Sequence, residues 1–358
     1  MLKRLLRFAV GFLFILSGGV KAVDIRGFAF KLEEYFSAQV FDLPFLEAWA
    51  LPIAAIVVML EIALGLMLLL DIRLKWTLRY LTILCLFFAF LTFYSAYYHV
   101  VTDCGCFGDA IKLSPWQSFW KDIILLALLI LIGWLYRHQF STKAQSYRYS
   151  FLALGLISGL WLMIYGWRYE PAIDFRDYKI GTDLLSEKQK IAAHPSEYKT
   201  VYTLKNKKNK TEITVNQDEY INQNYWQNPD WEIQEDQTTN QLVKQGYVSE
   251  IVKFKIENQQ GEDVTDSLLT APKAVLVFSY QPDHADAQLL ADVEEKVAQL
   301  KKITVYGIST NPQTFKILPN GLMDGTAIKT IARSNPFVLV LKRGKIVDKM
   351  PARDFINQ

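Results

Sequence analysis

Cysteine is scarce. Only Cys85, Cys104 and Cys106 occur in 358 residues, which rules out a small fold stapled by disulfides. Charge is thin as well: Asp, Glu, Lys and Arg make up 21% of the chain against 51% hydrophobic residues, and the mean hydropathy is +0.11. A water-soluble domain carries about 25% charge, so part of this chain belongs in lipid. The net charge of +3 is too small for a nucleic-acid footprint. There is no Gly-rich phosphate loop and no nucleophile elbow. Aromatic residues are plentiful at 14%, which excludes a disordered chain.

The averages hide a split. The long apolar runs all precede Arg168, and the Asn/Gln/Asp/Glu-rich stretches follow it. A bilayer core takes roughly 20 apolar residues in a helix. Five stretches approach that length: Leu5 to Val23, Ala50 to Leu70, Tyr80 to Val101, Phe119 to Tyr136 and Tyr149 to Trp167. The first, headed by MLKRLLR, also reads as a secretory signal. A retained helix is preferred because its apolar run continues past Lys21.

Basic residues in short loops set orientation. Lys3, Arg4 and Arg7, then Arg73, Lys75 and Arg79, then Arg137, Lys143 and Arg148 mark one side as cytoplasmic. In the alternate loops Arg26 and Lys31 are offset by Asp24, Glu33 and Glu34, and Lys112 by Asp103 and Asp109. Five spans then put the C-terminal half outside the cytoplasm, together with Cys104 and Cys106. The expected setting is a multi-pass protein of a bacterial inner membrane, its C-terminal domain in the periplasm and membrane lipid around its bundle. The loop from Arg26 to Ala48 is expected either as a short amphipathic helix on the membrane face or as a loop packed over the bundle.

The polar half divides again. Glu170 to Gly181 reads as an extended connector, and Ser186 to Tyr198 as helix or loop. Val201–Leu204 and Glu212–Val215 read as a hairpin, Gln217 to Gln241 as irregular, and Ile251–Ile256 as a strand of period two. Beyond these, Ala274–Ser279, Ile303–Ile308, Phe337–Leu341 and Ile346–Met350 read as strands, with helices over Ala285–Leu300 and Ala327–Ala332. Strand, helix, strand, helix, strand, strand is the order of a thioredoxin-like α/β fold. The expected domains are a transmembrane bundle over 1–140, a fifth transmembrane helix over 141–169, a linker and β-rich extension over 170–260, and the α/β domain over 261–358.

Chemistry concentrates in His99-Val-Val-Thr-Asp-Cys-Gly-Cys-Phe-Gly-Asp109. Cys104 and Cys106 flank a Gly that permits the tight bend of a very small disulfide ring. A ring so short favours exchange over stapling, and His99 is the nearest base to assist a thiolate. A permanent bridge bracing the loop is the competing reading. Metal binding is not assigned, because two Cys and one His fall short of a zinc set. Glu61 is the lone charge inside the second span and must face the bundle interior or pair, with Lys21 its candidate partner. Either a polar brace or a proton or quinone site fits that pair, and Gly65 one turn on allows close helix approach. Cys85 reads as a packing residue. The α/β domain has no thiol where a thioredoxin-type site needs Cys-x-x-Cys: that position is Tyr280-Gln-Pro-Asp-His-Ala-Asp286. His284 there reads as an exposed loop residue, and Asn335-Pro336 occupies the cis-proline place of such folds.

The pattern Arg7…Gly11…Phe14…Ser17-Gly18…Lys21, then Glu61…Gly65…Leu68, then Asp103-Cys-Gly-Cys-Phe-Gly-Asp109 resembles the DoxX/MauE-type bacterial membrane proteins, over Leu5 to Tyr136. From about Gly261 to Met350 the chain is similar to a thioredoxin-like domain that has lost both redox cysteines. The first resemblance implies a four-helix bundle like that of quinone-linked disulfide-forming proteins. It also implies a link to maturation of a disulfide-rich periplasmic enzyme, to thiol homeostasis or to respiration. Cys104, Cys106 and Glu61 carry over from it; the electron acceptor does not.

The expected fold is thus an all-α membrane bundle, four-helix core plus a fifth transmembrane helix, followed by an extracytoplasmic α/β thioredoxin-like domain. The expected function is thiol–disulfide exchange assisting maturation of exported proteins. Cys104 and Cys106 react in turn, His99 assists proton transfer, Lys21 and Glu61 hold the candidate cofactor, a membrane quinone, and a periplasmic or membrane protein is the partner. The alternative is a non-enzymatic scaffold whose thiol-less domain binds a periplasmic partner.

Overall fold

A computed structural model describes residues 1–101, 105–138, 146–234 and 238–358. Asp103, Cys104 and Lys143 lie outside the described residues.

Seven helices make up the first half: α1 (Leu2–Val23), α2 (Ile25–Phe36), α3 (Pro44–Glu47), α4 (Ala50–Leu69), α5 (Leu74–Tyr98), α6 (Pro115–Tyr136) and α7 (Ser146–Arg168). Among the described residues α1, α4, α5, α6 and α7 are long and apolar enough to cross a membrane. Their inner faces meet through Val10 and Phe14, Leu64 and Leu68, Leu78 and Leu81, and Leu129 and Ile132. Phe12, Ile56, Ile83, Ile130 and Trp161 stay exposed on the outer faces. In water that pattern would be costly; against lipid chains it is the ordinary arrangement. Gly11 and Gly65 let α1 and α4 cross closely, since a side-chain carbon on Gly65 would lie 3.0 Å from the Gly11 carbonyl oxygen.

The fourth span begins earlier than hydropathy places it. Ser114 caps α6 in a reciprocal box with Gln117, and Pro115 follows at the first helical position. The helix therefore gains Pro115 to Ser118 ahead of the expected start at Phe119, and Lys121 and Asp122 sit inside it.

The Arg26–Ala48 loop holds α2, whose Phe28, Leu32 and Tyr35 are buried. Tyr35 Oη lies 2.9 Å from Ser95 Oγ of α5. The other face of α2 turns away from the bundle and sets Phe30 edge-on to Tyr280, 5.3 Å between centroids. So α2 is a layer between two modules, apolar toward the bundle and mixed toward the α/β domain, where Phe30 meets Tyr280 and Glu33 meets Lys329.

The second half is mixed α/β. After α8 (Leu184–Ala193), β1 (Glu197–Asn206) pairs antiparallel with β2 (Glu212–Asn216), β3 (Trp231–Ile233) and β4 (Thr239–Lys244), with α9 (Gln217–Asn222) between β2 and β3. The hairpin is as expected. Gln217–Gln241 is not irregular throughout, because β3 and part of β4 fall in it and add to β1. Trp226 is exposed rather than packed on the domain.

A six-stranded sheet follows. Its strands are β5 (Glu257–Asn258), β6 (Ala274–Ser279), β7 (Thr304–Ser309), β8 (Asn320–Leu322), β9 (Phe337–Lys342) and β10 (Lys345–Pro351), in the order β10-β9-β6-β7-β8-β5. The pairs β6–β7 and β7–β8 are parallel; the others are antiparallel. Four helices accompany it: α10 (Thr265–Thr270), α11 (Ala287–Ala298), α12 (Gly325–Ile331) and α13 (Ala352–Ile356). Every residue of β6 is buried, as a central strand covered on both faces requires. Leu276 and Phe278 pack with Ile328 and Ile331 of α12, while Val275 and Val277 pack with Val293 and Val297 of α11.

Ile251–Ile256 is not a strand. Glu250–Lys253 is a 3-10 turn. Its backbone is claimed by side chains: Ile251 N–H donates to Ser249 Oγ at 3.2 Å and Glu250 N–H to Asp177 at 2.7 Å. Such local bonds displace a ladder. The Asn335–Pro336 peptide is cis.

Candidate redox site at the seam of the two modules

Lys21 and Glu61 meet. Both are 1% exposed, and Lys21 Nζ donates to Glu61 Oε1 at 2.6 Å and Oε2 at 2.8 Å. One residue sits between this pair and the cysteine loop. Ser17 Oγ accepts from Lys21 at 3.0 Å and lies 3.2 Å from Glu61 Oε2 and 2.9 Å from the Cys106 carbonyl oxygen. Its single proton serves one of those two acceptors at a time. The Phe28 and Phe88 rings lie 5.2 and 5.0 Å from the ammonium, adding cation–π stabilisation where water is absent.

Cys106 is disulfide-bonded and 5% exposed, whereas Cys85 is a free, buried thiol. The Cys85 thiol donates to the Asp122 carbonyl at 3.2 Å, a packing and bracing role. Cys106 borders a cavity of about 660 Å³ together with Ser17, Lys21, Glu61, Phe88 and Phe107. Leu13, Trp120 and Ile124 at its rim are exposed, so it opens on the apolar outer surface of the bundle. A second ion pair stands on its wall. Lys121 Nζ lies 2.8 Å from Asp122 Oδ1, and Thr92 Oγ1 approaches Asp122 Oδ2 at 3.4 Å. The cavity is therefore apolar, opens on the outer surface of the bundle, and is bordered by two cation–carboxylate pairs and by Cys106.

His99 is elsewhere. It caps α5 in a left-handed conformation, exposed, and is not among the cavity's lining residues. His284 likewise stays on the surface of the α/β domain. Among the described residues no group of His, Cys, Asp and Glu could hold a metal ion.

The α/β domain sits on the same end of the bundle as Cys106. Arg333, whose side chain is 4% exposed, donates from Nε to both Asp24 oxygens at 2.8 and 2.9 Å and from Nη2 to Asp109 at 3.0 Å. Lys329 bonds Glu33 at 2.7 Å. Burial pushes the Asp24 carboxyl up, but Arg333 outweighs it and holds the group below the usual range. Burial wins at Asp109, which is raised. Sequence reasoning treated Asp24, Glu33 and Asp109 only as charges offsetting Arg26, Lys31 and Lys112. Their partners lie more than 200 residues along the chain, beyond any local signal.

Residues 1–135 match the family model of the methylamine utilisation protein MauE. The MauE-like segment thus contains Ser17, Lys21, Glu61, Cys106 and the Lys121–Asp122 pair, every wall of the cavity. The chain is also 32% identical over 135 residues to Protein TlpB of Flavobacterium psychrophilum, a match covering 36% of this chain and 36% of that protein. It spans about a third of the length of the curated relative it matches. No solved structure matches.

Proposed function

We propose that this multi-pass membrane protein carries out thiol–disulfide exchange, with Cys104 and Cys106 as the reacting pair and an exported protein as client. The observation that carries the reading is the position of Cys106: this disulfide-bonded residue borders a cavity open on the apolar face of the bundle, and its backbone is tied through Ser17 to a buried Lys21–Glu61 pair. A purely structural bridge needs none of these neighbours. A client thiolate attacks the Cys104–Cys106 bond to form a mixed disulfide, and the client's second thiolate resolves it. The client leaves oxidised, with Cys104 and Cys106 as thiols.

Restoring their S–S bond releases two electrons and two protons. The cavity residues fit a lipid-soluble acceptor of both, because the walls are apolar and two ammonium groups border them. A membrane quinone supplies that acceptor chemistry when bound. With such an acceptor bound, Lys21 would stabilise a thiolate or donate to the acceptor's oxygen, and Glu61 and Asp122 would take up the released protons and pass them to it from the cavity wall. The basic clusters Lys3–Arg7 and Arg73–Arg79 favour a cytoplasmic position for the far end of the bundle. On this reading the α/β domain and Cys106 lie on the periplasmic side.

The scaffold reading retains one point in its favour, the thiol-less Tyr280–Asp286 segment. Thiol alkylation of membranes equilibrated in graded dithiol buffers separates the two. Exchange requires a midpoint of roughly −120 to −270 mV. A pair locked oxidised below about −300 mV leaves a braced loop and a scaffold.

A further inference from the structure

A polar cavity of about 360 Å³ opens where the two modules meet, at the end of the membrane helix α7. Its charges are one-sided: Arg26, Arg168, Arg353 and His284 border it against a single carboxylate, Asp354. Each arginine comes from a different element. Arg26 stands at the start of α2, Arg168 closes α7, and Arg353 lies on α13 of the α/β domain. Among the described residues none of these arginines forms an ion pair, whereas Lys329 and Arg333 of the same seam are each paired. Arg26 Nε donates to the Trp167 carbonyl at 3.2 Å, which uses one of the five N–H groups of its fork. The neutral side chains on the wall bond within it. Asn335 Nδ2 donates to the Gln281 carbonyl at 2.7 Å and Ser334 Oγ to the Pro336 carbonyl at 3.0 Å. Guanidinium groups around one space repel one another, and an anion held between them removes that repulsion while accepting their N–H bonds.

The surface beside the cavity is apolar. Ile157, Leu160, Ile164 and Trp167 are spaced three and four residues apart on α7, hence on one face, and all are exposed. That face runs from the cavity rim into the span, and a Trp at such a boundary sits at headgroup depth. We propose that an anionic phospholipid binds here, its phosphate between Arg26, Arg168 and Arg353 and its chains along the exposed face of α7. Arg grips phosphate with two parallel N–H bonds where Lys offers a point charge. A single headgroup then bridges α2, α7 and α13, and it ties the α/β domain to the bundle at a place where the protein's own cations repel. The site is independent of the disulfide-exchange reading, since it uses neither the cysteines nor the cavity at Cys106.

The test uses the full chain, delipidated in a neutral detergent, and follows thermal unfolding as lipid is added. A ligand of the folded state raises its melting temperature. Phosphatidylglycerol should do so and phosphatidylcholine should not, and native mass spectrometry should show phosphatidylglycerol retained on the chain. Arg168→Gln and Arg353→Gln break no ion pair, so each should fold, and each should weaken phosphatidylglycerol binding by about fivefold or more. The double variant should lose the shift altogether; where it fails to fold, the single variants carry the test. Arg79→Gln, which removes a cation from the opposite end of the bundle, should keep the shift. Equal shifts in the parent and the well-folded Arg168 and Arg353 variants, or an equal loss in Arg79→Gln, overturn the site. So does phosphatidylcholine matching phosphatidylglycerol. Displacement of the lipid by inorganic phosphate at comparable concentration overturns the lipid as the occupant and leaves a site for free anions.

Discussion

Both modules bury ions, but they use them differently. In the α/β domain Arg176 is bonded to Glu170 and Asp174 and to the Ile331 carbonyl, with Lys349 joined to the same carboxylates. That cluster lies inside the protein where the chain leaves α7, and it fastens the connector beneath the sheet. In the bundle Lys21–Glu61 and Lys121–Asp122 border an open cavity with a disulfide at its end. The first set of charges is spent on holding backbone in place; the second faces space that a ligand can enter. Burial of charge alone therefore does not mark a site. What sets the bundle's charges apart is that they stand beside a cavity that Cys106 also borders.

The largest test of this contrast is to remove a cation from each set. Lys21→Met leaves Glu61 uncompensated, and losing one partner of a buried pair costs about 3–5 kcal/mol. Arg176→Met should cost a similar amount. The midpoint potential of the Cys104/Cys106 pair separates them. It should shift in Lys21→Met, whose ammonium reaches Cys106 through Ser17, and stay put in Arg176→Met. Equal shifts would make the two clusters alike and reduce Lys21–Glu61 to a brace. The double variant Lys21→Met/Glu61→Gln should regain stability over Lys21→Met without regaining the potential.

A smaller effect tests the helix crossing that places the pair. Gly65→Ala puts a methyl 2.9 Å from Ile15 and 3.0 Å from the Gly11 carbonyl, an overpacking of about 1–3 kcal/mol. Unfolding in detergent should fall accordingly, and reduction of added quinone should fall with it because α1 and α4 carry Ser17, Lys21 and Glu61. Gly261→Ala in the α/β domain meets no neighbour but strains a backbone at φ +82°, so it should cost stability while leaving quinone reduction unchanged.

These contrasts also show what a sequence can and cannot carry. The spans were legible because lipid demands long apolar runs, and the sheet strands β6, β7 and β9 because a doubly covered strand is continuously hydrophobic. Glu61 and Lys21 were legible as a pair because an isolated charge at that depth has few alternatives. Lys121 and Asp122 were not, since a charged pair at the end of an apolar run looks like the water boundary. The 3-10 turn at Glu250–Lys253 imitated a strand because Phe254 and Ile256 are buried two apart; the turn buries Ile251 where alternation would bury Val252, which is exposed. The seam was invisible: Arg333 meets Asp24 and Asp109 only after two modules have folded.

Acid should open that seam late. Asp24, held below the usual carboxylate range by Arg333, contributes docking stability in full above the ordinary value of 3.8. That contribution is lost as pH falls through the lower folded value. Asp109, raised by burial, has the opposite sign: its proton binds more tightly in the docked state, so docking weakens as pH rises through its raised value. Thermal stability of the docked domain should fall below about pH 4 as Asp24 takes up its proton. No fall in that range would mean that Asp24 is not the group holding the clasp.

The smallest effect is expected at His99, the histidine that precedes the cysteine loop. It is exposed at the end of α5 and does not border the cavity. Proton transfer to or from a reacting sulfur needs hydrogen-bond reach or one bridging water, and the groups that border the cavity with Cys106 are Ser17, Lys21, Glu61 and Asp122. His99→Gln should therefore change the rate of quinone reduction by less than about twofold, against a loss of 10²-fold or more for removal of a positioned acid–base group. The pH profile is the sharper readout. If the rate of the parent protein rises with a pKa near 6.5 and the His99→Gln profile loses that limb, the aqueous end of α5 belongs to the site, and the contrast between an inward-facing bundle and a merely structural surface has to be redrawn around it.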